Sequence, residues 1–205
     1  MSNKKCNHSW LQRHCSDTYV KRAQKEGFRA RSAYKLLEIQ EKTRLIHPGM
    51  RIIELGAAPG SWSQLISRLL KSNGKLYTID SLPMQPIASV FFMQGDFTQE
   101  STRHALKAEI NAPVDLVLSD IAPNLSGIAA VDQPRTLHLA ELALEFSKEM
   151  LKSNGHFLIK IFQGSGSDLY IKQVRQLFKQ INIYKPTASR AQSSEVYLLA
   201  QNYLK

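Results

Sequence analysis

Short apolar runs alternate with amphipathic segments along most of this chain, and no other feature limits its possible folds as strongly. A helix is predicted from Ser32 to Ile46, stopped by His47-Pro48-Gly49. Arg51 to Leu55 reads as a strand, Gly56 to Gly60 as a turn, and Ser61 to Leu70 as an amphipathic helix closed by Ser72-Asn73-Gly74. The pattern then repeats. Strands are predicted at Lys75 to Asp80, Val90 to Met93, Val114 to Ser119 and Gly155 to Ile161, and helices at Thr98 to Ile110, Pro134 to Leu151 and Ser167 to Gln180. Two last runs, Ile181 to Lys185 and Glu195 to Gln201, have only the turn region PTASRAQSS between them and read as an antiparallel hairpin. Repeated strand–helix–strand units need a parallel sheet with helices on both faces. The expected fold is therefore one α/β domain with a mostly parallel seven-stranded sheet and an antiparallel C-terminal hairpin.

With 205 residues, 43% of them hydrophobic, the chain can bury a core of that size in one domain. No apolar run approaches the ~20 residues of a membrane-spanning helix. The polar first residues lack the apolar stretch of a secretory signal, so a cytoplasmic location is expected. Residues 1–16 read as a flexible basic leader and 17–205 as the domain. Both cysteines, Cys6 and Cys15, lie in the leader with His8 and His14, and their spacing matches no metal-binding pattern. The other histidines, His47, His104, His138 and His156, show no ligand spacing either, so no metal is expected. Lys and Arg number 27 against 17 acids, a formal charge of +10, and residues 1–50 alone hold eleven Lys/Arg against four acids. Such a concentration fits a phosphate-rich partner, because each cation placed on a phosphate releases condensed counterions. No membrane-type amphipathic helix is apparent, which favours nucleic acid over anionic lipid. No obligate protein partner is inferred, and a monomer is expected.

In doubly wound sheets ligands bind at the carboxyl ends of the strands, near the point where the strand order reverses. The first strand runs into Gly56-Ala57-Ala58-Pro59-Gly60, whose small residues allow close backbone approach and are expected to leave amides at the N-terminus of the following helix free for a ligand. The spacing G-x-x-x-G is neither the dinucleotide fingerprint nor a Walker loop. Asp80 ends the second strand, where a carboxylate can accept both hydroxyls of a ribose. Gly95-Asp96 follows the third and suits an adenine amino group. Asp120 follows the fourth. Lys160 interrupts the apolar run Phe157 to Phe162, a costly place for an ammonium unless it is aimed into a cleft.

Five segments taken together resemble the FtsJ/RrmJ family: Arg31 to Glu38 (RSAYKLLE), Leu55 to Gln64 (LGAAPGSWSQ), Ser119 to Gly127 (SDIAPNLSG), Lys160 to Gly164 (KIFQG) and Ser189 to Tyr197 (SRAQSSEVY). The resemblance spans about residues 17–205. It implies a Rossmann-like class I methyltransferase domain using S-adenosylmethionine to methylate ribose 2'-hydroxyls. Within the family the match is to the bacterial branch acting on a uridine of 23S rRNA in the large (50S) ribosomal subunit. The family's Lys-Asp-Lys-Glu tetrad falls on Lys35, Asp120, Lys160 and Glu195, and its adenosylmethionine contacts on Gly60, Trp62, Asp80, Asp96 and Asp120. Ser61 and Ser165 depart from the bacterial pattern of glycine and an acid, without touching the tetrad.

The resemblance implies activation of a weak nucleophile. Lys160 is the candidate general base; alternatively it stays charged and stabilises the forming alkoxide while Asp120 and Lys35 align the hydroxyl and Glu195 orients a lysine. Tyr19, Phe28 and Tyr34 are candidates for stacking on bases, with core packing the expected fate of Tyr34. The competing readings are the same chemistry on tRNA, a nicotinamide-dependent oxidoreductase, and a silent RNA-binding module. The absent G-x-G-x-x-G argues against the second and the complete tetrad against the third.

Overall fold

Side chains alternate between the two covered faces along the central strands, sending Ile52, Leu116 and Leu118 to one face of a sheet and Ile53 and Val117 to the other. The computed structural model describes residues 17–205 except Leu125 and Ala191. The elements run α1 (Thr18–Glu26), α2 (Ala33–Thr43), β1 (Arg51–Leu55), α3 (Ser61–Leu70), β2 (Lys75–Asp80), β3 (Val90–Gln94), α4 (Glu100–Ile110), β4 (Val114–Ser119), α5 (Ala129–Met150), β5 (Leu151–Phe162), α6 (Ser167–Leu177), β6 (Phe178–Tyr184) and β7 (Glu195–Tyr203). The sheet order is β3-β2-β1-β4-β5-β7-β6. β1 to β5 are parallel, whereas β7 runs antiparallel to both β5 and β6. The expected architecture is therefore present, and the strand order reverses between β1 and β4. Cys6, His8, His14 and Cys15 lie outside the described residues.

One face buries Ile53, Ile79, Val117, Phe157 and Leu198 under α4, α5 and α6. The other buries Ile52, Leu76, Leu118, Leu158 and Leu199 under α2 and α3, whose Leu36, Ile39, Leu65 and Ile66 complete that layer. Complete burial of each such side chain contributes about 1.5–3 kcal/mol relative to exposure.

Three boundaries differ from expectation for physical reasons. Thr18–Glu26 is a helix, capped by Asp17 on the amides of Tyr19 and Val20 and ended by Gly27 at φ +73°. α5 starts at Ala129, five residues before Pro134. The proline thus lies inside the helix, and the first turn is held by Asp132, which accepts from Ser126 and Gly127. α6 stops at Leu177 because Phe178, 3% exposed, pairs with Tyr203 across the hairpin and stacks on Phe157, so tertiary pairing outweighs local helical propensity.

Candidate active site

The carboxyl ends of β1, β2, β3 and β4 enclose a cleft of about 560 Å³, lined among others by Gly56, Asp80, Asp96, Asp120, Ile121 and Asn124. That volume suits a nucleoside-sized ligand. The β1–α3 turn meets the loop after β4 so closely that a Cβ on Gly56, at φ +82°, would lie 2.8 Å from the Ile121 nitrogen. The turn's own amides are engaged. Those of Gly56 and Ala57 donate to Ile79 O, that of Ala58 to Asp80 Oδ2 at 2.9 Å, and that of Gly60 to Ala57 O. Asp80 Oδ1 accepts from the Leu82 amide at 2.8 Å, so backbone donors hold both carboxylate oxygens and fix its aim at the end of β2. Asp96, on the surface, accepts from Thr98 N and Oγ1, and these bonds hold its pKa below the ordinary value.

Gly60 and Trp62 do not line this cleft. Gly60 lies beneath Arg29 and Met84, and Trp62 is buried with its indole Nε1 donating to Ser32 O at 2.8 Å. Ser61, also buried, bonds Ser32 Oγ at 2.6 Å, so the departure at this position is absorbed by a partner hydroxyl.

At the cleft's edge the tetrad forms two ion pairs. Lys160, its side chain 8% exposed, donates to Asp120 Oδ1 at 2.9 Å and to Asp120 O at 2.5 Å. Lys35 donates to Glu195 Oε1 at 2.6 Å, and Ser189 Oγ donates to the same oxygen at 3.1 Å. Tyr197 links the two. It stands opposite Lys160 in the β5–β7 register, its hydroxyl donates to Asp120 Oδ1 at 2.9 Å, and the Lys35 ammonium lies 5.9 Å from its ring centroid. Burial first, then the charges of Asp120 and Glu195, hold the Tyr197 phenol well above its ordinary pKa, so it remains a donor. The part played by Tyr197 depends on an antiparallel register that spacing does not reveal; its place at the end of the segment Ser189 to Tyr197, two residues after Glu195, was the available signal.

A second residue missed by sequence reasoning is Glu54, 1% exposed on β1, where it accepts from Ser63 Oγ at 2.6 Å. Burial, reinforced by the charges of Asp120 and Asp80, pushes its carboxyl up to about 8 despite the opposing bond from Ser63. An acid inside an apolar strand was the available signal, of the same kind as Lys160. Among the described residues no group of three or more His, Cys, Asp or Glu is placed to hold a metal, and no helix is long and apolar enough to cross a membrane.

Tyr34 is buried, as core packing requires, and burial and its bond to Glu26 push its phenol up to about 12. Tyr19 and Phe28 pack against its ring, with centroids 5.5 and 5.8 Å away, and form a small cluster joining α1 to α2.

A family model described as FtsJ-like methyltransferase matches residues 28–203. The chain is 53% identical over 204 residues to a protein of Pseudomonas fluorescens named ribosomal RNA large subunit methyltransferase E, covering 99% of this chain and 98% of that one. It is 50% identical, covering 99% of each, to the Pseudomonas aeruginosa protein of the same name. Among solved structures, one from Plasmodium falciparum named as a ribosomal RNA methyltransferase superposes with a TM-score of 0.78 at 27% identity, covering 86% of this chain and 99% of that one. A doubly wound sheet with a cleft at its switch point, two lysine–carboxylate pairs on its rim and full-length relatives of one kind converge: the chain belongs to the FtsJ-like methyltransferase family.

Proposed function

We propose that this protein transfers a methyl group from S-adenosylmethionine to the ribose 2'-hydroxyl of a uridine in 23S rRNA, within the large (50S) ribosomal subunit. The observation supporting this most strongly is the Lys160–Asp120 pair at the rim of a nucleoside-sized cleft, with Lys35–Glu195 joined to it through Tyr197. The cleft fits adenosylmethionine by volume and by donor set: Asp80, held by two backbone amides, presents a carboxylate to ribose hydroxyls, and Asp96 presents another further along the edge. When bound there, adenosylmethionine supplies a sulfonium-activated methyl, an electrophile that needs no metal.

The protein's task is then the nucleophile. Asp120 accepts the hydroxyl's hydrogen bond and aligns its oxygen. The positive charge of Lys160 faces the negative charge left on that oxygen as its proton passes to the Asp120 carboxylate, and the O–C bond would form as the methyl–sulfur bond breaks to leave a neutral thioether. Lys35, braced by Glu195, adds a second positive charge beside the same oxygen. Away from this centre α1 exposes Lys21, Arg22 and Lys25, which fit backbone phosphates.

The test is methyl transfer from labelled adenosylmethionine to large subunits lacking the modification, to naked 23S rRNA and to bulk tRNA. Label on subunits, absent with Lys160→Ala, is the expected result. Label on tRNA alone would overturn the substrate, and no label on any RNA would overturn the activity.

A further inference from the structure

Lys35 and Glu38, one turn apart on α2, and Arg31 in the turn just before it engage the same stretch of chain some 150 residues later in the sequence, and of the three only Lys35 belongs to the tetrad. Arg31 Nη2 donates to Ala188 O. Lys35 reaches Glu195. Glu38, one turn beyond Lys35, accepts three hydrogen bonds from the β6–β7 loop: Oε2 from Thr187 N at 2.7 Å, and Oε1 from Thr187 Oγ1 at 2.7 Å and Ala188 N at 2.9 Å. Residues three apart share a helix face, so the Lys35 and Glu38 contacts form one row on α2, with Arg31 leading into it.

The loop closes the row into a ring. From Glu38 the path runs through Thr187 and Ala188 to Ser189, whose hydroxyl bonds Glu195 Oε1. Glu195 accepts Lys35, and Lys35 returns along α2 to Glu38. Ala188 is fully buried, Ser189 is 9% exposed and Glu195 is 8% exposed, so that side of the ring is shielded from water, whereas Thr187 is exposed. Tyr19 of α1 adds a bond from its hydroxyl to Thr187 Oγ1 at 2.9 Å. Two charge-assisted bonds to backbone amides set the height of the loop along α2, and thereby the position of Glu195 relative to Lys35.

We propose that Glu38 is a positioning residue for methyl transfer: it pins the β6–β7 loop to α2 so that Glu195 holds the Lys35 ammonium at its working place. The proposal rests on the tetrad reading above and extends it to a carboxylate that touches no substrate. Glu38→Gln retains one acceptor oxygen but turns an amide NH₂ toward a donor, so the loop loses at least one bond and its register against α2 relaxes. A misplacement of the order of 1 Å slows a well-aligned reaction by up to about a hundredfold. A partial loss, roughly tenfold in the rate of methyl transfer, is expected here.

The experiment is a double-mutant cycle on the full-length protein: single-turnover methyl transfer at saturating adenosylmethionine and RNA, for the parent, Glu38→Gln, Lys35→Ala and the double variant, with the affinity for adenosylmethionine and the unfolding midpoint measured alongside. If Glu38 acts through Lys35, Glu38→Gln slows transfer in the parent but not in the Lys35→Ala background, and leaves adenosylmethionine affinity unchanged. Rate losses that multiply within about twofold in the double variant would overturn the proposal, because independent sites are additive in free energy. Lys35→Ala without effect would instead overturn the tetrad reading itself, so the two failures are distinguishable. Thr187→Val, at an exposed position, keeps the backbone amide on Glu38 and loses the hydroxyl's bonds to Glu38 and Tyr19; it serves as a second probe if Glu38→Gln unfolds, is expected to reproduce a smaller slowing that also vanishes in the Lys35→Ala background, and no slowing would overturn the proposal.

Discussion

Replacing Glu54 by glutamine tests whether the site sits above a carboxyl that stays protonated near neutral pH. Glutamine matches the protonated acid in size and leaves an oxygen to accept from Ser63, so packing and the 2.6 Å hydrogen bond are retained. Burial raises the native carboxyl to about 8 from an ordinary 4.5. The folded protein therefore holds a proton that the unfolded chain releases, and stability falls as pH rises between those values, levelling off above about 8. Each pH unit well inside that window costs about 1.4 kcal/mol, so the stability advantage of Glu54→Gln over the parent grows by about 2 kcal/mol between pH 6 and pH 8. All other groups titrate alike in both proteins and cancel. Urea unfolding followed by circular dichroism at pH 6, 7 and 8 gives the two curves. A gap that is the same at pH 6 and pH 8 would refute the reasoning, since it would mean that the carboxyl ionises in its ordinary range despite being 1% exposed.

Lys160→Ala is expected to slow single-turnover transfer by about a hundredfold or more while leaving adenosylmethionine binding within a few-fold, as equilibrium dialysis would show. Asp80→Ala is expected to do the reverse, weakening adenosylmethionine binding by roughly ten- to a hundredfold, the scale of lost hydrogen bonds to a charged group. Asp132→Ala removes the acceptor of Ser126 N, Ser126 Oγ and Gly127 N, freeing the loop that forms one wall of the cleft; KM for adenosylmethionine should rise more than kcat falls, and equal losses in both would contradict that. Tyr170→Phe, whose hydroxyl donates to Ala140 O in a buried contact, should cost about 1 kcal/mol by urea titration with no change in transfer.

The strand ends were legible because their chemistry interrupts apolar runs: Asp80, Asp120 and Lys160 each stand where a strand of buried residues meets a polar group, and the structure brings all three to one edge. Glu54 sends the same signal from within β1, but beside the glycine-rich turn it reads as the approach to that turn. α1 was hidden because only Val20 and Ala23 of its nine residues are buried, too few for periodicity to show; the cues were its ends, Asp17 and Gly27. Phe178 read as helix because the pairing that makes it a strand lies 25 residues away at Tyr203. Glu38 and Tyr197 were unreadable for a related reason. Their roles are set by what the hairpin places beside them, at Thr187, Ala188 and Asp120, and no local pattern records a contact that distant.

The central claim is chemical: an oxygen of ribose, not a base atom, receives the methyl at the Lys160–Asp120 pair. The most direct measurement is nucleoside analysis by mass spectrometry of large-subunit RNA methylated by the purified protein. The account predicts a single 2'-O-methyluridine, lost with Lys160→Ala. A methylated base, or 2'-O-methyluridine formed at an undiminished rate by Lys160→Ala, would contradict it.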